Sequence, residues 1–178
     1  MFAQASQPVQ LLSERYRTEW NWVEYRISLR NTSDLPVLGP QIRYFAENPW
    51  IQYCETNPNA EDCRTFDRQN PPEDTMLAVT VDHSSYLYSV VSEVSSAGTV
   101  SVVELDIDGL LYPNHVVEIN FRIYRKDWNS WDPSHDWSYQ RNAEVVEPNY
   151  FMAVNDAAGN ILWGSDPLRG NINADDVL

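Results

Sequence analysis

Lysine is almost absent from this chain. Lys126 is the only one in 178 residues, and the whole basic complement is 12 residues against 26 acidic ones, for a net charge of −14. Phosphate binding needs a basic face, so nucleic acid is excluded as a partner. An anionic membrane surface is excluded for the same reason. No run of 18 apolar residues exists, so no helical membrane span is expected. Histidine is scarce, with three residues, and none stands at a zinc-ligand spacing from Cys54 or Cys63, the only cysteines. There is no Gly-rich phosphate loop, no Ser-His-Asp or Cys-His signature, no internal repeat and little helical periodicity. The charge that remains favours solubility, neutral ligands and divalent cations.

Aromatic residues, by contrast, are abundant, with seven Trp and ten Tyr. They concentrate in Arg122-Ile-Tyr-Arg-Lys-Asp-Trp-Asn-Ser-Trp-Asp-Pro-Ser-His-Asp-Trp-Ser-Tyr139, which puts three Trp, two Tyr and three Asp into eighteen residues. A core segment of that density would be mostly aliphatic, and a disordered one would hold few rings. Flat apolar faces among carboxylates, amides and hydroxyls suit a sugar, whose ring has an apolar face and a hydroxyl rim.

The rest of the chain alternates in the manner of strands. Trp20 to Arg30 reads as a strand carried by Trp22, Tyr25, Ile27 and Leu29. Further strands are expected at Gln41 to Ala46, Met76 to Val81, Leu87 to Val94, Val100 to Ile107, Val116 to Tyr124, Tyr150 to Val154 and Ile161 to Trp163. Turn chemistry separates them at Asn31 to Pro36, Ser95 to Gly98, Leu110 to Asn114 and Asp156 to Asn160. Short strands with regular turn signals predict an all-β fold, an antiparallel β-sandwich of jelly-roll type with hardly any helix.

Residues 1–14 are expected to be an N-terminal tail. Ala3-Gln-Ala5 has the small-x-small form of a signal-peptidase site, which suggests the remnant of an export signal. The sandwich is placed at 15–167 and a C-terminal tail at 168–178. Residues 47–75, rich in Pro, Asn and Asp, are expected to be one long insertion loop. Cys54 and Cys63 lie in it, nine apart. An exported protein would oxidise them, closing a loop of about 10 residues worth roughly 2.7 kcal/mol in the chain-entropy model; the alternative is two free surface thiols.

The aromatic segment resembles the Asp-Trp-Ser-Asn-(aromatic)-x-x-Ser-Asn-Asp-Tyr-Ser-(aromatic) signature of the family 3 carbohydrate-binding modules, which bind cellulose. The resemblance extends in order along the chain. Arg26-Ile-Ser-Leu-Arg-Asn-Thr-Ser33 resembles the family's first core strand, and Pro40-Gln-Ile-Arg-Tyr-Phe45 its Ile-Arg-Tyr-Tyr strand. Val79-Thr-Val-Asp-His-Ser84 resembles the strand ending in Asp-His. Asn160-Ile-Leu-Trp-Gly-Ser-Asp-Pro167 resembles the closing Leu-Val-Trp-Gly run.

That resemblance implies a flat cellulose-binding strip on one sheet. Asp82 and His83 match its Asp-His pair, Arg122 its Arg and Trp128 its Trp. The loop that carries the family's strip Tyr is shortened here, leaving Tyr86 as a substitute. A Trp can stack on a glucose ring without a curved pocket, and an Asp–Arg pair can form a planar plate with hydrogen-bonding edges. Many family members also hold a structural Ca²⁺, and Glu47, Asp132 and Asp136 fall at ligand positions. Carboxylate oxygens suit that ion. Two departures stand against it: His135 replaces an Asn, and Pro49 a chelating Asp.

The expected function is therefore a non-catalytic module, secreted or on the cell surface. Acting as a monomer, it binds cellulose or a related plant polysaccharide. Two other classes compete. An enzyme would need paired carboxylates from Asp127, Asp132 and Asp136 at a set separation, but these sit in one short segment of a chain with no evident cleft. A same-fold accessory module that contacts proteins and has lost crystalline cellulose would have little reason to keep Asp82, His83, Arg122 and Trp128 together.

Overall fold

The computed structural model describes residues 7–67, 72, 76–85 and 87–169. Among the described residues, twelve strands form two five-stranded sheets and a two-stranded ribbon. The first sheet has the order β10-β1-β2-β9-β5, with β1 Val9–Thr18, β2 Trp22–Asn31, β5 Leu77–Ser84, β9 Val116–Arg125 and β10 Glu147–Pro148. The second has the order β12-β11-β4-β7-β6, with β4 Gln41–Glu47, β6 Val90–Ala97, β7 Val100–Ile107, β11 Ala153–Asn155 and β12 Ile161–Trp163. The ribbon pairs β3 Val37–Leu38 with β8 Leu110–Leu111. Every strand pair within the sheets is antiparallel. This is the expected jelly-roll sandwich.

The period of two in the sequence decides which face each residue takes. On β2, Val23, Tyr25, Ile27 and Leu29 are buried, and Trp22, Glu24, Arg26 and Ser28 face outward between them. On β9 the buried set is Val117, Ile119, Phe121 and Ile123. These meet Ile42, Tyr44, Val103, Leu105 and Val154 from the second sheet, and Met152 just before β11, in one core. Tyr25 stacks on Phe121 with ring centroids 5.6 Å apart. Each such large side chain contributes about 1.5–3 kcal/mol by leaving water. The chain closes at Gly164, where φ is +69° and an added Cβ would lie 1.9 Å from the Met152 carbonyl oxygen. Only glycine fits there.

Four expectations are corrected by the structure. Residues 9–14 are not tail but the start of β1, paired with β2 from Val9↔Asn31 onward. Val9 and Leu11 reach the core, and buried Ser13 donates a hydrogen bond to the Gln140 side chain. Trp22 does not share a face with Tyr25, Ile27 and Leu29; strand parity gives that place to Val23. Residues 47–75 are not one structureless loop, because α1 Pro49–Thr56 and the short α2 Glu61–Arg64 lie within them. The Asn48 side chain caps α1 by accepting the Trp50 amide at 3.0 Å, with Pro49 in the first turn. Pro167–Arg169 forms a 3-10 turn, so the proposed tail at 168 begins inside an ordered element; residues 170–178 lie outside the described residues. The expected Cys54–Cys63 disulfide is present and ties α1 to α2, with 5.2 Å between the Cα atoms.

Candidate functional site

The outer face of the first sheet collects Asp82, His83 and Arg122 of the residues matched from sequence. In a regular strand Asp82 and His83 would point to opposite faces. A bulge in β5 between Val81 and His83 leaves Asp82 without a partner in the register, and both side chains are exposed. His83 pairs with Asn120 and Thr80 with Arg122 on β9; across the next strand Arg122 pairs with Glu24. Tyr124 and Trp22 form the following rung. Alternate residues on one strand lie roughly 7 Å apart, so these rungs follow one another along the outer face of the sheet.

Arg122 is the hinge of this surface. Its guanidinium carbon sits 4.2 Å from the centroid of the Trp22 ring. Nη2 lies 3.6 Å from Glu24 Oε2, and Nε lies 3.9 Å from Asp82 Oδ2. The last distance is an ion-pair contact and not a hydrogen bond. The expected Asp82–Arg122 plate is therefore loose, and the stacked plate in the structure is Arg122 on Trp22. Partly exposed pairs of this kind add well under about 1 kcal/mol to stability, so their arrangement is not needed to hold the sheet. Arg17 approaches the same indole at 5.8 Å. Beside it Arg26 lies 3.4 Å over the Tyr16 ring, at a second bulge between Arg15 and Arg17.

Trp128 stands just beyond the end of β9 and is 68% exposed. Its φ is +59°, a region a bulky L-residue rarely occupies. The turn that holds it is built by Asp127. One Asp127 oxygen accepts from the Asn129 amide at 3.2 Å, and the other accepts from Asn129 Nδ2 at 2.9 Å and Arg125 Nη2 at 2.8 Å. Burial works against the charge on Asp127, but these hydrogen bonds hold its carboxyl below the ordinary Asp value. A backbone in that region persists where local bonds over-determine it. Trp20, also exposed, lies at the same end of the sheet, where its carbonyl accepts the Trp131 amide at 2.8 Å.

Of the residues matched from sequence, Asp82, His83 and Arg122 lie together and Trp128 stands at the end of their strand, while Trp22, Tyr16 and Arg26, which stack in the same sheet, were not singled out as surface residues. Tyr86 lies outside the described residues. The aromatic segment is not uniformly a surface: Trp131 and Asp136 are buried, and Trp137 packs edge-on against Phe151. The parity of β2 was the available signal for Trp22.

The sequence family described as cellulose binding domain matches residues 14–164. The chain belongs to this family. No curated protein matches. Among solved structures, a family IIIA cellulose binding domain from Clostridium cellulolyticum is similar, with a TM-score of 0.64 and 18% identity over 91% of this chain and 99% of that one. A biomass-sensing module of an Rsgi-like protein from Clostridium thermocellum gives the same TM-score and identity, with 91% of this chain and 100% of that one covered. Endoglucanase CelQ of Clostridium thermocellum, complexed with cellotetraose, reaches a TM-score of 0.70 at 16% identity; the match covers 92% of this chain and 26% of CelQ. At such identities the likeness is one of fold.

The calcium ligands that the resemblance implies do not fit an ion as they are arranged. Among the described residues no group of three His, Cys, Asp or Glu side chains could hold a metal. Asp136 has both carboxylate oxygens engaged: Oδ1 accepts the Glu47 amide at 2.9 Å and Oδ2 the Tyr44 hydroxyl at 2.8 Å. Burial, aided by the charges of Glu47 and Asp132, pushes its carboxyl well above the ordinary Asp range. Asp132 caps the 3-10 turn Pro133–His135 through the Ser134 amide. Gln52 on α1 brackets the Asp132 backbone, donating to its carbonyl at 2.7 Å and accepting its amide at 3.2 Å.

Proposed function

We propose that this domain binds the flat face of cellulose through the outer side of the β10-β1-β2-β9-β5 sheet and carries out no chemistry on it. What supports the reading is that His83, Asp82 and Arg122, the last stacked on Trp22, share the outer face of this sheet, and that the exposed Trp128 follows just beyond the end of β9. Three separate parts of the chain supply these residues, and none of the side chains is needed for the core. Flat aromatic and guanidinium faces can lie on sugar rings, and the carboxylates and His83 can meet the hydroxyl edges. Asp136, one of the three acids weighed for catalysis, is 6% exposed and held by two donors, which suits a structural part. Family membership supports a binding role, and an exported or cell-surface location follows from an insoluble extracellular ligand. The test is sedimentation with microcrystalline cellulose. The protein is expected in the pellet with no reducing sugar released. Protein left wholly in the supernatant would hand the domain to protein contacts, and released sugar would make it an enzyme.

A further inference from the structure

Arg125, the last residue of β9, is a buried cation on which several parts of the chain meet. Its amide donates to the Asn21 carbonyl at 3.0 Å, which ties it to the turn between β1 and β2. Its carbonyl accepts the Trp128 amide at 3.3 Å. Its guanidinium reaches into the segment that follows β9. There Nη2 donates to Asp127 Oδ2 at 2.8 Å, and Nη1 donates to the Ser130 carbonyl at 3.0 Å. These two bonds grip the chain on both sides of Trp128. The exposed Trp128 ring does little to fix its own backbone, which stands at φ +59°. A bulky residue leaves that region when nothing holds it there.

The helical insertion backs this grip. The Tyr53 ring on α1 lies 5.7 Å from the Arg125 guanidinium carbon. Its neighbour Gln52 donates to the Asp132 carbonyl at 2.7 Å and accepts the Asp132 amide at 3.2 Å, which anchors the far end of the same segment. The disulfide from Cys54, the next residue of the helix, holds that turn of α1 to α2. A planar guanidinium can serve two acceptors at fixed angles, which an ammonium on a flexible stem does poorly. We infer that Arg125 is the positioning residue for Trp128, setting the direction of that ring from beneath, with α1 as its support. That Trp128 is a ligand contact rests on the proposed cellulose reading; the hold of Arg125 on the turn does not.

The test combines Arg125→Met with Trp128→Ala in the full chain. Methionine keeps the length and removes the donors, while Asp127 retains its two bonds from Asn129. Arg125→Met should weaken adsorption to microcrystalline cellulose by about tenfold, within the range for residues coupled through one hydrogen-bond network. Added to Trp128→Ala, it should change adsorption by less than about twofold, because the ring it directs is gone. A residue that only supports the sheet would cost the same in both backgrounds. Arg125→Lys keeps the charge beside Asp127 and should lose less; where Arg125→Met does not fold, it carries the comparison. Backbone ¹⁵N relaxation gives a second readout, independent of cellulose: the Trp128 amide should be rigid in the unaltered protein and mobile in the variant. Equal losses in the two backgrounds, or no loss in the variant that carries the comparison, would overturn the inference. If the unaltered protein does not adsorb, the cellulose reading fails and relaxation decides alone. A Trp128 amide as rigid in the variant as in the unaltered protein would then overturn the inference, and a mobile one would uphold it.

Discussion

Replacing Trp128 by alanine separates contact from support. The ring is 68% exposed. A whole indole side chain carries about 250 Å², so roughly 85 Å² is available on one face for stacking. At about 25 cal/mol per Å² that is about 2 kcal/mol, or roughly a 30-fold loss of affinity. The backbone bond from the Trp128 amide to the Arg125 carbonyl survives the change, and no core packing is removed. Melting should therefore move by no more than the equivalent of about 0.5 kcal/mol. Depletion isotherms on microcrystalline cellulose, with a melting curve for each protein, read both quantities. Unchanged affinity would show that the ring is not a contact. Lost affinity together with a large drop in melting temperature would show that Trp128 supports the fold.

Three further outcomes are expected. Gly164→Ala should destabilise by at least about 2 kcal/mol in denaturant melts, because the Cβ would meet the Met152 carbonyl at 1.9 Å in a left-handed backbone; a neutral result would mean that the closing turn can shift. Saturating Ca²⁺ and EDTA should give the same melting curve, since the Asp136 and Asp132 carboxylates are already engaged by protein donors; a rise with Ca²⁺ would show a cage built from other oxygens. Thiol titration of denatured, oxidised protein should find no free thiol, and Cys54→Ser with Cys63→Ser should lower stability by up to about 2.7 kcal/mol, with the insertion losing order first; equal melting would mean that α1 is held without the bridge.

The strands that carry the core were legible because their alternation is clean. Ile42 and Tyr44 on β4, and Val117 through Ile123 on β9, announce one buried face each. β1 was hidden because Glu14, Arg15 and Arg17 interrupt its pattern, and its buried Ser13 is paid for by Gln140, more than a hundred residues away. Helix α1 was hidden because eight residues with a Pro and only three buried side chains leave too short a period to read. On the candidate site, Asp82 and His83 were picked out by motif, but their shared exposure depends on a bulge that composition does not reveal. Trp22 is the opposite case. Its even position in a strand whose core residues are 23, 25, 27 and 29 already placed it outside. Its stacking with Arg122, however, needs the β2–β9 register, which only the folded sheet supplies.

The most direct measurement is the adsorption isotherm of an Arg122→Ala/Trp128→Ala double variant on microcrystalline cellulose, run beside the unaltered protein and checked for folding by circular dichroism. The unaltered protein is predicted to adsorb saturably, and the folded double variant to stay in the supernatant. Equal adsorption by the two, or adsorption by neither, would contradict a cellulose-binding row on this face of the sheet.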